Sequence, residues 1–410
     1  MEVKKLDYKK TEKVFNANNK NTLAPIMHRL GGETAFEVSR EVEKLKLQGK
    51  DIIEMHIGQP DFNTPEHIID AAIESLYNGD TGYTPSHGIM ECREAVAEFI
   101  PKYRKVDGDI GPENVVITPG GKPVIFFGIF STIGKGEEVL YPNPGYPIYI
   151  SAINAAEGRG IPYNSVEELK KRINNKTRMI ILNSPHNPTG EIIEKDDLEE
   201  IAGLSQKHNS LVMSDEVYSR IIYRDGFESV LQFSGMLERT ILVDCHSKAY
   251  AMTGWRFGFG VASPKYTDAI SEWMVNTSAC VPGFIQKAGI AAMKGDQSCV
   301  YSMVDKFRKR RDLIVSELNK IDGIFCPEPD GAFYVFPDVT ELCGEGNPFE
   351  DASDLRKKLL YEAGVSVLAR EHFGSKGPNE ENEFIRFSYA TSEENILEGV
   401  GRIRNYLNRQ

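Results

Sequence analysis

Apolar residues along this chain follow two alternating rhythms. Within residues 34–47, Phe36, Val38, Val42 and Leu45 fall on or near one face of a helix. A short apolar segment follows at 51–57, and Gly58-Gln59-Pro60 then turns the chain. From about residue 65 to 300, helix-like stretches at 67–77, 90–103 and 195–208 separate short β-rich runs. Those runs are 115–118, 138–141, 179–183, 211–215, 240–244 and 257–262. Such alternation predicts an α/β fold with a mainly parallel sheet covered on both faces. In sheets of that kind a ligand sits beyond the carboxyl ends of the strands. A long helix is predicted over about 304–321, leading into a C-terminal α/β segment. The expected division is 1–55 as an N-terminal arm and part of a small domain, 56–300 as a large domain, and 301–410 as the rest of the small domain. The N- and C-terminal segments are expected to pack together.

Composition narrows the function classes. Of 410 residues, 40% are hydrophobic and 26% charged, as in ordinary globular proteins. A net charge of -12 argues against non-specific binding to nucleic acid or anionic membranes, while leaving room for a local positive pocket. The cysteines (Cys92, Cys245, Cys280, Cys299, Cys326 and Cys343) form no CxxC pair and no disulfide framework, a usage that suits a reducing cytosol. The histidines show no metal-ligand spacing. No apolar run is long enough to span a bilayer. Residues 1–20 are polar, lack the apolar core of a secretory signal, and carry Glu2, Asp7 and Glu12; they read as a flexible arm. A cytoplasmic location is therefore expected. The basic run Lys306, Arg308, Lys309, Arg310 and Arg311 is expected to be a solvated helix face, and the methionines core filler.

Candidate chemistry clusters at predicted strand ends and loops. In Cys245-His246-Ser247-Lys248, continuing to Thr253-Gly254-Trp255-Arg256, the lysine follows directly on a strand. An amine there can form a Schiff base with an aldehyde, and Arg256 can return to bind a phosphate. In Ser214-Asp215-Glu216-Val217-Tyr218, a carboxylate closes an apolar strand, where it can keep a pyridine nitrogen protonated. The bland alternative is a helix N-cap. Asn187, in Asn183-Ser184-Pro185-His186-Asn187-Pro188, precedes a proline, so its amide can point into a site rather than continue a helix. The Gly120-Gly121 pair before Lys122 stands between a strand and a helix-like run and can offer backbone N–H groups to an anion. It lacks the ending of a Walker loop, and Gly258-Phe259-Gly260 lacks the third glycine of a dinucleotide fingerprint. Arg386 lies in an otherwise apolar strand, Phe384-Ile385-Arg386-Phe387, where a carboxylate partner or an internal salt bridge would satisfy it.

Taken together, these motifs resemble fold-type I, pyridoxal-phosphate-dependent aminotransferases of class I/II, the aspartate aminotransferase family. The resemblance runs from about Gly31 to Leu407. It implies pyridoxal 5'-phosphate (PLP) held as a Schiff base on Lys248, with Asp215 at the pyridine nitrogen and Tyr218 and Asn187 at the ring hydroxyl. Tyr146, in Pro144-Gly145-Tyr146-Pro147, resembles the aromatic that stacks on the ring. Gly121, Lys122 and Arg256 resemble phosphate contacts. Tyr83 resembles the tyrosine that reaches the phosphate from a neighbouring subunit, which implies a homodimer with shared sites. Arg386 and the backbone at Gly58, with Asn187, resemble the groups that hold the substrate carboxylate. The implied reaction moves an amino group between an L-amino acid and a 2-oxo acid by a ping-pong route, with Lys248 as acid and base.

The pattern departs from the family in places. Cys245 stands where a hydroxyl usually meets the phosphate. Residues 155–169 look short by roughly a hairpin, a change expected at a surface edge. Glu33 falls near the segment that often touches the substrate side chain, where a carboxylate would disfavour an acidic substrate. A C–S β-lyase on the same scaffold is the alternative enzyme. A PLP-sensing regulator fits poorly, because the stretch before Gly31 is too short for a DNA-binding domain. The amino donor stays open.

Overall fold

The computed structural model describes residues 23–32, 35–377 and 380–410. The expected arm at 1–20 and Glu33 lie outside the described residues. Strand β1 (Ile53–Glu54) comes first, and β2 (Val115–Thr118), β3 (Glu138–Pro142), β4 (Arg159–Tyr163) and β5 (Thr177–Asn183) follow. Next come β6 (Leu211–Asp215), β7 (Thr240–Cys245) and β8 (Gly258–Val261). Strands β2 to β8 form one seven-stranded sheet in the order β2-β8-β7-β6-β5-β3-β4. Neighbours from β7 through β4 are parallel, and β8 alone runs against both β7 and β2. The expected α/β architecture with a mainly parallel sheet is present.

Alternation along the central strands shows why both faces are covered. Met179 and Ile181 of β5, Met213 of β6, and Ile241 and Val243 of β7 pack in one cluster with Val124, Ile125 and Ile129 of the helix Gly121–Thr132. The intervening Ile180, Leu182 and Val212 join Leu198 and Ile201 of the helix Lys195–His208 in another. Leu242 and Phe259 meet Val96 and Ile100 of the helix Met90–Tyr103. Successive side chains of a strand point to opposite faces, so an unbroken apolar strand needs helices on both.

The helix-like run expected after the Gly120-Gly121 pair is the helix Gly121–Thr132, apolar nearly all round, so no helical period marks its ends. Strand β4 is absent from the sequence-based expectation. Strand β4 is an edge strand carrying Gly160 and Pro162, with only Tyr163 fully buried, so it lacks an apolar run.

The long helix spans Ser298–Leu318, so the expected division at residue 300 falls in its first turn. Beyond it lie β9 (Tyr334–Val335), β10 (Val365–Ser366), β11 (Leu368–Ala369) and β12 (Ile385–Ser388). The last three-stranded group has the antiparallel order β11-β12-β9, and β1 pairs in parallel with β10. N- and C-terminal segments thus share a small sheet. The basic helix face corrects one expectation. Arg310 and Arg311 are buried rather than solvated: Arg310 grips both oxygens of Asp61, at 2.7 and 2.9 Å, and Arg311 pairs with Glu328 at 3.0 Å.

Candidate active site

Strands β2, β3, β5, β6 and β7 point their carboxyl ends to one edge of the sheet, because β8 alone is reversed. Each then delivers a loop or helix start to that edge. A cavity of about 670 Å³ opens there. Gly58, Gly121, Lys122, Tyr146, Asn187, Asp215, Tyr218, Cys245, Lys248, Arg256 and Arg386 all line it. Tyr83 does not; it is 94% exposed, on a turn outside the cavity.

Lys248 sits in the short helix His246–Ala249, immediately beyond β7. Its Nζ donates to the carbonyl of Gly58 at 2.6 Å and stands 5.8 Å from the ring centres of Tyr218 and Phe333. The amine is thereby aimed by a backbone acceptor from the turn after β1.

Asp215 ends β6 and is buried. Tyr149 Oη donates to Oδ2 at 2.6 Å. Burial pushes the carboxyl up to about 6, the Tyr149 hydrogen bond opposing the rise. Asp215 makes no ion pair among the described residues, so a buried carboxylate faces the cavity without a cation. Tyr218, one turn further, shares a 2.8 Å hydrogen bond with Tyr334 Oη, and burial raises its phenol well above the usual range.

Arg386, on β12, is buried between the rings of Tyr334 and Phe373, 4.2 and 4.9 Å from their centres. It donates to Asn187 Oδ1 at 2.8 Å and to the carbonyl of His56 at 2.6 Å. Asn187 is held in turn by its own N–H on Asn183 Oδ1, at 2.9 Å. The Asn187–Pro188 and Ser184–Pro185 bonds are cis. His56 bridges Ser39 and Ser366, at 3.0 and 2.8 Å, and burial lowers its imidazole to about 4, so it is neutral.

The last wall is the turn from β2 into the helix Gly121–Thr132. Gly120 has φ +89°, and a side chain there would meet Arg256 Nη2 at 2.2 Å. Arg256 crosses this glycine and donates to the carbonyls of Thr253 and Pro119, at 2.8 and 3.2 Å. The helix N-terminus and the guanidinium make an anion cradle. Cys245 is buried beside it, with its thiol pushed up by burial. Lys122 Nζ lies 5.9 Å from the Tyr146 ring centre.

Sequence reasoning missed Tyr149, Tyr334, Ser247 and Phe373, which also line the cavity. Tyr149 carried a faint signal, one helical turn after Tyr146. Tyr334 lies within the apolar run Ala332-Phe333-Tyr334-Val335 and reads as core.

These residues suit PLP. The uncompensated Asp215 fits a protonated pyridine nitrogen, the Lys248 amine an aldehyde, and the Gly120–Gly121 turn with Arg256 a phosphate. Fold and site are those of a PLP-type enzyme. The chain belongs to the family of class I and II aminotransferases, whose model matches residues 50–403. It is 38% identical to the (5-formylfuran-3-yl)methyl phosphate transaminase of Methanocaldococcus jannaschii over 90% of this chain and 94% of that one. It is 37% identical to the aspartate aminotransferase of Pyrococcus abyssi over 87% and 92%. The solved aspartate aminotransferase of Rhizobium meliloti superposes with a TM-score of 0.88 at 29% identity, covering 95% of this chain and 99% of that one. The chain is a PLP-dependent transaminase.

Proposed function

We propose that this transaminase exchanges the amino group between an L-amino acid and a 2-oxo acid in a ping-pong cycle, with Lys248 as covalent anchor and proton carrier. The observation that carries the reading is that the Lys248 amine, aimed by Gly58 O at 2.6 Å, shares one cavity with Asp215 and Arg386. PLP, when bound, supplies the carbonyl that takes the amino group and a ring that spreads negative charge. Asp215 would keep the ring nitrogen protonated. Tyr218 and Asn187 would serve the ring hydroxyl, and Tyr146 the ring face. Gly121, Lys122, Cys245 and Arg256 would hold the phosphate. Arg386, with Asn187 and the Gly58 backbone, orients the substrate carboxylate so that its α-hydrogen meets Lys248. The amine takes that proton and returns it.

Two further features belong to the same reading. The protein works as a homodimer, with Tyr83 crossing to the neighbouring site. Ile73, Leu76 and Tyr77, spaced along one face of the helix Glu66–Tyr77, are exposed apolar side chains that a second subunit would cover. It acts in the cytoplasm as a cofactor-binding unit at 56–300 with a smaller one from the chain ends. The pairing of β1 with β10 supports that division. Among the described residues no helix is long and apolar enough to cross a membrane.

Borohydride treatment of the PLP-loaded protein, followed by peptide mapping, is expected to place the reduced cofactor on Lys248. Lys248→Ala should still bind PLP and lose turnover by at least about 100-fold. A label on another lysine would overturn the assignment. A panel of amino donors with 2-oxoglutarate, read as half-reaction absorbance, identifies the substrate and separates transamination from a C–S β-lyase, which releases pyruvate and ammonia without an acceptor.

A further inference from the structure

Beside Arg386 the catalytic cavity has a wall that no step of the proposed reaction uses. On the neighbouring strand, Leu368 stands directly opposite Arg386. Phe373 follows a few residues later, its ring 4.9 Å from the guanidinium and met edge-on by Phe336 at 5.8 Å. Phe36 joins them from the helix Ala35–Leu47, with 55% of its surface exposed. Leu368, Phe373 and Phe36 all line the cavity. Asp215 is the only carboxylate among the described lining residues, and its proposed partner is the ring nitrogen. The wall therefore suits an apolar body and offers nothing to pair a cationic side chain.

One polar group interrupts this wall. His372, half-buried, also lines the cavity. Its Nδ1 stands 3.1 Å from the carbonyl of Ala369, and a carbonyl only accepts, so Nδ1 carries the ring proton. Burial, with Arg356 and Arg386 nearby, lowers the imidazole to about 4, so the ring is neutral and Nε2 holds a lone pair. Nε2 has no hydrogen-bond partner among the described residues, yet it is not one of the nitrogens sealed from solvent. An apolar side chain packed there would strip water from Nε2 and return nothing, whereas a hydroxyl would satisfy it. A hydroxyl at the tip of an aromatic side chain meets both demands, being apolar along its length and a donor at its end.

We propose that His372 determines side-chain specificity: its Nε2 accepts a hydrogen bond from a ring hydroxyl, so the amino donor is an aromatic L-amino acid with a phenolic tip. The inference rests on the proposed function, in which Arg386 holds the α-carboxylate. With the carboxylate there, the aromatic body lies along Leu368, Phe36 and Phe373, and its tip reaches His372.

Calorimetric titration of the PLP-loaded protein with amine-free acids, which bind without turnover, tests the proposal. 3-(4-Hydroxyphenyl)propanoate should bind at least about tenfold more tightly than 3-phenylpropanoate. His372→Leu should bring the two within about twofold of each other, and His372→Gln, whose amide oxygen accepts, should restore part of the difference. Arg386→Ala should weaken both alike. Equal affinities in the wild-type protein, or a preference that survives His372→Leu, overturn the proposal. Should the leucine variant fail to fold, as read from thermal unfolding, the wild-type and His372→Gln affinities decide: a preference kept by both supports it, and its absence from either overturns it. Succinate bound more tightly than both aromatic acids would also overturn it, by placing an anionic side chain at that wall. Affinities indifferent to Arg386→Ala would instead break the carboxylate reading on which the proposal rests.

Discussion

Burial without a cationic partner gives Asp215 a cost that the bound cofactor would remove. Its carboxyl titrates at about 6 in the folded protein against 3.8 when free. Between those values the folded state binds more protons than the unfolded one, so this group's contribution to stability falls as pH rises from about 4 to 6. The full difference is on the order of 3 kcal/mol. Asp215→Asn should erase that slope and make the cofactor-free protein more stable above pH 6, while transamination collapses. Urea unfolding of both cofactor-free proteins at pH 4.5 and 8 checks it; equal stabilities at pH 8 would sink the argument. In the proposed function Arg386 acts differently, because every amino and oxo acid carries the carboxylate it would face. Arg386→Ala should weaken all such substrates by about 2–5 kcal/mol, and amines lacking the carboxylate should be indifferent. A loss confined to one amino acid would show that Arg386 reads the side chain instead. Lys248, Asp215 and Arg386 were legible in the sequence because each interrupts an apolar strand or follows it directly. Tyr149 and Tyr334 were not, since each is an aromatic among apolar neighbours and its hydroxyl partner lies far along the chain.

Among the elements, the turn from β2 into the helix Gly121–Thr132 has the least freedom. Gly120 combines φ +89° with an Arg256 nitrogen 2.2 Å from where a side chain would begin. Gly120→Ala must therefore strain the backbone and displace Arg256 together. We expect a loss of about 1–3 kcal/mol in stability and weaker PLP binding, measured by thermal unfolding and by equilibrium dialysis. Wild-type PLP affinity in the alanine variant would refute the cradle. The glycine pair and a helix-like run after it stood out in sequence, yet the extent of that helix did not. Gly121–Thr132 is packed between the sheet and other helices, so selection for a polar face, the usual source of a helical period, is missing. The helix Lys195–His208, with a wet face, was legible to its ends.

At the scale of the whole molecule, the proposed homodimer would tie catalysis to assembly through the exposed Tyr83. Mixing inactive Lys248→Ala chains with inactive Tyr83→Ala chains should yield hybrid dimers with one complete site. At equal amounts and full exchange, about a quarter of wild-type activity is expected. No recovery despite subunit exchange shown by native mass spectrometry would exclude shared sites. The sequence by itself determined the sheet-and-helix alternation and the chemistry at strand ends, since both are written in spacings of a few residues. Only the tertiary structure decided that Lys248 is aimed by Gly58, that Asp215 is held by Tyr149, and that Arg386 meets Asn187 and His56. It also decided that Arg310 and Arg311 are buried against acidic partners rather than solvated. The physical reason is that periodicity records which face of an element is dry, whereas hydrogen-bond partners are chosen by how distant elements pack.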